Sequence, residues 1–159
     1  MRRVLAPSYA VLFLCASMYL GTGWSLVLFS FPIAPQLTVD TYYLQFVPQV
    51  EAATRFFTYM TGLMIVLALL MVIGEWRTRF RWVPLVVLLG IIAVTLLTTR
   101  VIFPLNAAMR NGITDPEQLV EVLGRWMALN RVRVGIWTVQ WVALAFYFTE
   151  QVRPADPTA

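Results

Sequence analysis

Apolar residues run along this chain in long unbroken blocks, not in the alternating or half-helical patterns of a soluble fold. Uncharged stretches cover residues 4–39, 56–74, 82–99 and 134–149. A helix crosses a hydrocarbon core of roughly 30 Å in about 20 residues, so the first three blocks suffice. The fourth, at 16 residues, is slightly short. The pattern predicts an all-α protein, an integral membrane four-helix bundle with spans over residues 8–31, 56–75, 82–103 and 130–149. Residues 1–159 form a single domain.

The breaks between blocks carry their own signals. Pro32 and Pro35 lack the amide hydrogen a helix interior needs and end the first span, and residues 36–55, with Asp40, Tyr42, Tyr43 and Glu51, read as a loop. Within that span Ser17, Gly21 and Ser25 recur every four residues, a small-residue ridge that would let another helix approach closely. The stretch "GEWRTRFRW" is a tight turn that makes a hairpin of the second and third spans. Phe103 and Pro104 at the end of the third span echo Phe31 and Pro32 at the end of the first, too short an echo to establish a repeat.

Farther on, "NGITDPEQLVEVLGRW" has Asp115 as N-cap, Pro116 at the first helical position and Gln118 placed to reach back. No proline follows until Pro154, so one helix is expected from Pro116 to Thr149. At 1.5 Å per residue it is about 50 Å long, more than a bilayer core accommodates. Residues 116–129 are therefore expected as an amphipathic extension of the last helix beyond the bilayer on the outer face.

Composition agrees: 60% of residues are hydrophobic and 13% charged, with a mean hydropathy of +0.74. All 12 basic residues are arginine, and the net charge of +4 is scattered over loops and helix ends, which argues against nucleic acid as a partner. Arg2 and Arg3, with Arg77, Arg79 and Arg81 in the tight turn, put both termini on the cytoplasmic side of a bacterial inner or plasma membrane. The N-terminus has the basic start and apolar run of a secretory signal. Leu14, however, precedes Cys15 where a lipoprotein signal needs a small residue, so retention as a first span is expected. Cys15 is the sole cysteine and reads as a packing residue, with no intrachain disulfide or thiolate cluster open to it.

Several chemistries drop out. The chain has no histidine, which removes haem or metal held through imidazole, and no carboxylate falls in the middle of a span, which argues against proton relays and ion-coupled transport. No glycine-rich phosphate loop, serine nucleophile elbow or paired-cysteine motif is present. Neither a cofactor nor a metal is expected.

What remains is concentrated where the last helix enters lipid. Trp126, Asn130, Arg133, Trp137 and Trp141 are spaced by four, three, four and four residues and share one helix face, while Arg125 and Arg131 point elsewhere. In the expected topology this face meets Arg55, Tyr59, Arg100 and Asn106 at the outer side, with Glu51 or Asp40 as counter-charge. The candidate ligand-binding residues are Asn106, Trp126, Asn130, Arg133, Trp137, Arg100 and Tyr59, around an aromatic-walled pocket open to the outer leaflet. The competing reading is that these arginines snorkel to lipid phosphates and the tryptophans anchor at the interface.

The pattern "FPLN" at Phe103 to Asn106, a polar linker, and "RWMALNRVRVG" at Arg125 to Gly135 resembles the four-helix membrane family of unknown function that includes the anthrone oxygenases. The matching positions are Asn106, Trp126, Asn130 and Arg133. The resemblance implies oxidation of a flat, phenolic, quinone-forming substrate without a cofactor. A base removes a proton, Arg133 and Asn130 stabilise the anion, Trp126 and Trp137 stack on the ring, and the anion reacts with oxygen. Candidate bases are Glu51, Asp40 and Tyr59, and no catalytic residue is assigned. Expected partners are the lipid bilayer and a small aromatic or quinone-like ligand. The alternative is a non-catalytic accessory or assembly subunit of a larger membrane complex, docking through the small-residue ridge and the start of the last helix.

Overall fold

A computed structural model describes residues 2–152, with side chains from Leu5 onward. The side chains of Arg2 and Arg3, on which the expected orientation partly rests, lie outside that range, as do Arg153 and the tail. Every regular element described is helical. Helix α1 (Arg2–Ser25) runs into a wider π-helical turn (Leu26–Ser30), and α2 is Tyr42–Glu75. Helix α3 (Trp82–Leu97) continues through a second π-helical turn (Thr98–Ile102) into α4 (Phe103–Arg110), and α5 is Pro116–Val152. Helices α1 and α3 each pack against both α2 and α5, which closes a four-membered ring.

Three stretches are long and apolar enough to cross a membrane: Leu5–Ser30, Tyr42–Glu75 and Trp82–Arg110. Their apolar surface extends all round, as the exposure of Leu14, Phe29, Leu63, Ile73 and Leu89 shows. Helix α5 carries Glu117, Glu121, Arg125, Arg131 and Arg133 in its first half and does not stand among those three.

Three expected boundaries are corrected. Residues 42–55, read as loop, are the first turns of α2, with Pro48 inside the helix. Tertiary burial overrides the local signals here: Tyr42, Phe46 and Val47 are buried against Met109, Ile113, Leu119, Leu123 and Trp126. The Tyr42 hydroxyl donates to the Met109 carbonyl at 3.0 Å and accepts from the Ile113 amide at 2.6 Å. The third long helix does not end at Phe103 but carries on to Arg110, with Pro104 at the start of α4. At the N-terminus, α1 begins at Arg2 and not at residue 8, with Pro7 inside it.

The extension of α5 is likewise not a free amphipathic arm. Leu119, Leu123 and Trp126 form one side of a second core, with Phe31, Tyr42, Phe46, Ile102 and Met109 opposite. Asp115 caps α5 as its position suggests, accepting from the Glu117 and Gln118 amides at 3.3 and 3.2 Å. A larger core fills the rest of the bundle, around Leu12, Met64, Ala68, Met71, Val83, Val87 and Leu144. Cys15 is buried there.

The small-residue ridge does not work as expected. Gly21 meets nothing within 4 Å, whereas a Cβ on Gly23 would sit 2.8 Å from Trp137 and Val134. The close approach of α1 to α5 therefore depends on Gly23. Ser17 acts through its hydroxyl, which accepts from the Trp141 indole at 2.9 Å.

Each π-helical turn immediately precedes a Phe-Pro pair. The Phe31 amide bonds the Leu26 carbonyl at 3.0 Å, and the Phe103 amide bonds the Thr98 carbonyl, both five residues back. A proline ring collides with the carbonyl four residues before it and offers no donor; widening the turn just upstream moves that carbonyl aside.

Candidate functional site

Residues of both π turns line a cavity of about 300 Å³. Helix α1 contributes Tyr19 and Gly23, α2 contributes Thr54, Phe57 and Thr61, the second π turn contributes Thr98 and Ile102, and α4 contributes Asn106. Helix α5 supplies Trp126, Asn130, Arg133 and Trp137. Rim residues Thr22, Ser25, Gln49, Thr58 and Thr99 are exposed, so the cavity reaches the surface. A second, open groove between α2 and α4 shares Val50, Thr54, Phe103 and Asn106 with it.

A relay of hydrogen bonds fixes the α5 face. The Trp126 indole donates to Asn106 Oδ1 at 2.8 Å, while Phe31 and Phe46 meet its ring edge-on at 5.8 and 5.5 Å. Asn130 is 3% exposed; its Nδ2 donates to the Trp126 carbonyl at 2.8 Å and its Oδ1 accepts from Arg133 at 2.9 Å. Both ends of the amide are thus engaged, and Asn130 holds Arg133 in place. The guanidinium lies 4.7 Å over the Trp137 ring, a cation–π contact of roughly 0.5–2 kcal/mol. The Tyr19 ring lies 4.7 Å from Trp137 and 4.5 Å from Phe57, tilted to both. The Tyr19 hydroxyl bonds the Phe57 carbonyl at 3.0 Å and the Thr61 hydroxyl.

Of the expected site residues, the structure thus brings Asn106, Trp126, Asn130, Arg133 and Trp137 to one wall. It does not bring Arg100 or Tyr59 there: both are exposed, Tyr59 to 83%, because each sits on the outward side of its helix. The expected counter-charges are also elsewhere. Glu51 pairs with Arg110 at 3.8 Å in the neighbouring groove and Asp40 is exposed in the connection before α2. None of the suggested bases reaches the cavity, and no carboxylate stands among the described residues that line it. Arg125 and Arg131 are exposed, with Arg131 stacked 5.4 Å over Phe31.

Other lining residues escaped the sequence reading. Tyr19, Thr61 and Thr98 sit in apolar blocks where a single hydroxyl carries no pattern. Glu75 escaped too: fully buried at the opposite end of the bundle, it accepts from Tyr147 at 2.8 Å and from Thr78 at 2.7 Å. Chemically, the cavity can stack a flat ring against Trp137, Tyr19 and Phe57 and present a cation to an oxygen. No protein-family model matches the chain, nor does any curated protein or solved structure.

Proposed function

We propose that this chain is a four-span membrane protein whose cavity binds a small aromatic or quinone-like molecule. In this reading α5 is the fourth span, both termini are cytoplasmic and the cavity opens toward the outer leaflet. One observation carries it: Arg133, well inside a helical bundle, is held by Asn130 and the Trp137 ring beside a cavity whose described walls carry no carboxylate. A guanidinium placed in apolar surroundings is costly, and a specific task is the usual compensation. The resemblance noted for Asn106, Trp126, Asn130 and Arg133 extends the reading to anthrone oxygenase-like oxidation by dioxygen. Arg133 would stabilise the anion formed and Asn130 would position Arg133. Proton removal would then fall to a group outside the expected set.

The experiment is a titration of the protein in detergent with 1,4-naphthoquinone, read by quenching of tryptophan fluorescence. Trp137→Ala and Arg133→Ala are expected to lose binding while helical circular dichroism stays unchanged. Parent-like quenching in both variants sinks the proposal. The alternative, an accessory subunit, draws on Gly21, whose face of α1 has no neighbour within 4 Å. A stoichiometric membrane partner, retained in gentle detergent by the parent and released by Gly21→Leu, would support it.

A further inference from the structure

Two buried polar atoms on the cavity wall stand out because they make no hydrogen bond among the described residues: Arg133 Nε and Thr98 Oγ1. Their neighbours behave differently. The hydroxyls of Thr58, Thr61 and Thr99 each donate to the carbonyl four residues back on their own helix, at 2.7, 2.8 and 2.8 Å. Having used their hydrogens, they offer the cavity only lone pairs. Thr98 and Thr99 are adjacent in sequence, yet only Thr99 closes this local bond. Thr98 opens the π turn, where the backbone is wider, and its hydroxyl is left without that bond on a residue that lines the cavity.

Two residues of the wall, on two neighbouring elements, therefore each carry an unpartnered donor, one of them a cation. A buried donor without a partner costs about 1–3 kcal/mol, more when charged. A carbonyl oxygen could satisfy the donors but would leave the charge of Arg133 uncompensated, since no carboxylate stands among the described residues that line the cavity. An anionic oxygen answers both demands.

We infer that Arg133 Nε and Thr98 Oγ1 form a two-donor site for one anionic oxygen group, a carboxylate or phosphate carried on an apolar body, and that this charge selects the ligand. The inference rests on the cavity binding a ligand at all and adds its charge and the role of Thr98. The apolar body lies against Trp137, Tyr19 and Phe57, and the acidic group lies toward the second π turn. Such a group can come from a free organic acid or from an anionic phospholipid of the surrounding leaflet.

The test compares 2-naphthoate with 2-naphthamide, equal in shape and different in charge at pH 7, by quenching of tryptophan fluorescence in phosphatidylcholine nanodiscs. The parent is expected to bind the acid roughly tenfold or more tightly than the amide, the size of a charge-assisted hydrogen bond. Arg133→Gln is expected to weaken both probes, the acid more than the amide, whereas the near-isosteric Thr98→Val is expected to reduce that ratio toward one while leaving the affinity for the amide intact. Thr98→Ser should restore it. A ratio near one in the parent, or an unchanged ratio in Thr98→Val, overturns the inference while amide binding keeps the cavity reading alive. If neither probe binds, both fail. Adding phosphatidylglycerol to the nanodiscs identifies the source: competition with 2-naphthoate supports a lipid phosphate at the two donors, and unchanged affinity supports a free acid.

Discussion

At the scale of single residues, contacts that decide the packing depend on what is missing from a side chain as much as on what is present. Gln140 is buried, and its amide donates to the Val87 carbonyl at 2.8 Å, a helix-to-helix bond through the space that Gly90 leaves open. A Cβ on Gly90 would lie 2.5 Å from Gln140 Nε2. Gly90→Ala is therefore expected to cost about 1–3 kcal/mol, the usual range for overpacking. In the double variant with Gln140→Ala the two penalties should sum to less than their separate values, because removal of the amide also removes the collision. Detergent unfolding midpoints of the four proteins check this; strict additivity would mean that the two residues do not share this space. Neither residue was singled out by periodicity. A glycine inside an apolar run looks the same whether its face is open, as at Gly21, or crowded, as at Gly23 and Gly90.

At the scale of elements, α2 shows tertiary contacts setting secondary structure. Its first turns contain Gln45, Pro48, Gln49 and Glu51, and read locally as a polar, proline-broken stretch. They are helical because Tyr42, Phe46 and Val47 close a core with α4 and α5 in which Trp126 is central. Trp126→Ala should destabilise that end by about 3–5 kcal/mol. Hydrogen exchange should then accelerate over residues 42–54 while residues 60–71, packed in the larger core, stay protected. Uniform acceleration along α2 would show that the two cores are a single cooperative unit. The π turns belong to this scale as well: the Phe-Pro echo, faint as a repeat, marks two places where the same local conflict has the same solution. Both solutions border the cavity.

At the scale of the whole molecule, the ring of α1, α2, α3 and α5 sorts charge to its two ends. Arg77, Arg79 and Arg81 lie at the hairpin end, where Arg79 pairs with Glu150 at 3.2 Å, and Glu51, Arg110 and Asp115 lie at the other. The proposed orientation, with both termini cytoplasmic, would put exposed Arg77 toward the cytoplasm and exposed Asn111, between α4 and α5, on the outer side. In a Cys15→Ser background, Asn111→Cys should react with an impermeant maleimide in intact cells and Arg77→Cys only in inverted vesicles. The reverse pattern would invert the orientation and carry the cavity to the inner leaflet. Labelling of both from one side would remove a span from the topology.

What the sequence determined by itself is whatever depends on sums over many residues. Long apolar blocks dictate helices in lipid, because every backbone amide there must be satisfied within its own segment. Four-residue spacing likewise dictates that Trp126, Asn130, Arg133 and Trp137 share a face. Only the tertiary structure decided which groups meet across helices. It turned residues 42–55 into helix, placed Tyr59 and Arg100 outward, moved the close approach from Gly21 to Gly23 and left Glu51 paired with Arg110. Such contacts are set by the relative rotation of neighbouring helices, which in all-round apolar segments has no periodic signature to betray it. Arg133 and its partners on the same helix, Asn130 and the Trp137 ring, could be located from spacing, but the cavity they share with Thr98 of the second π turn exists only once the ring of helices has closed.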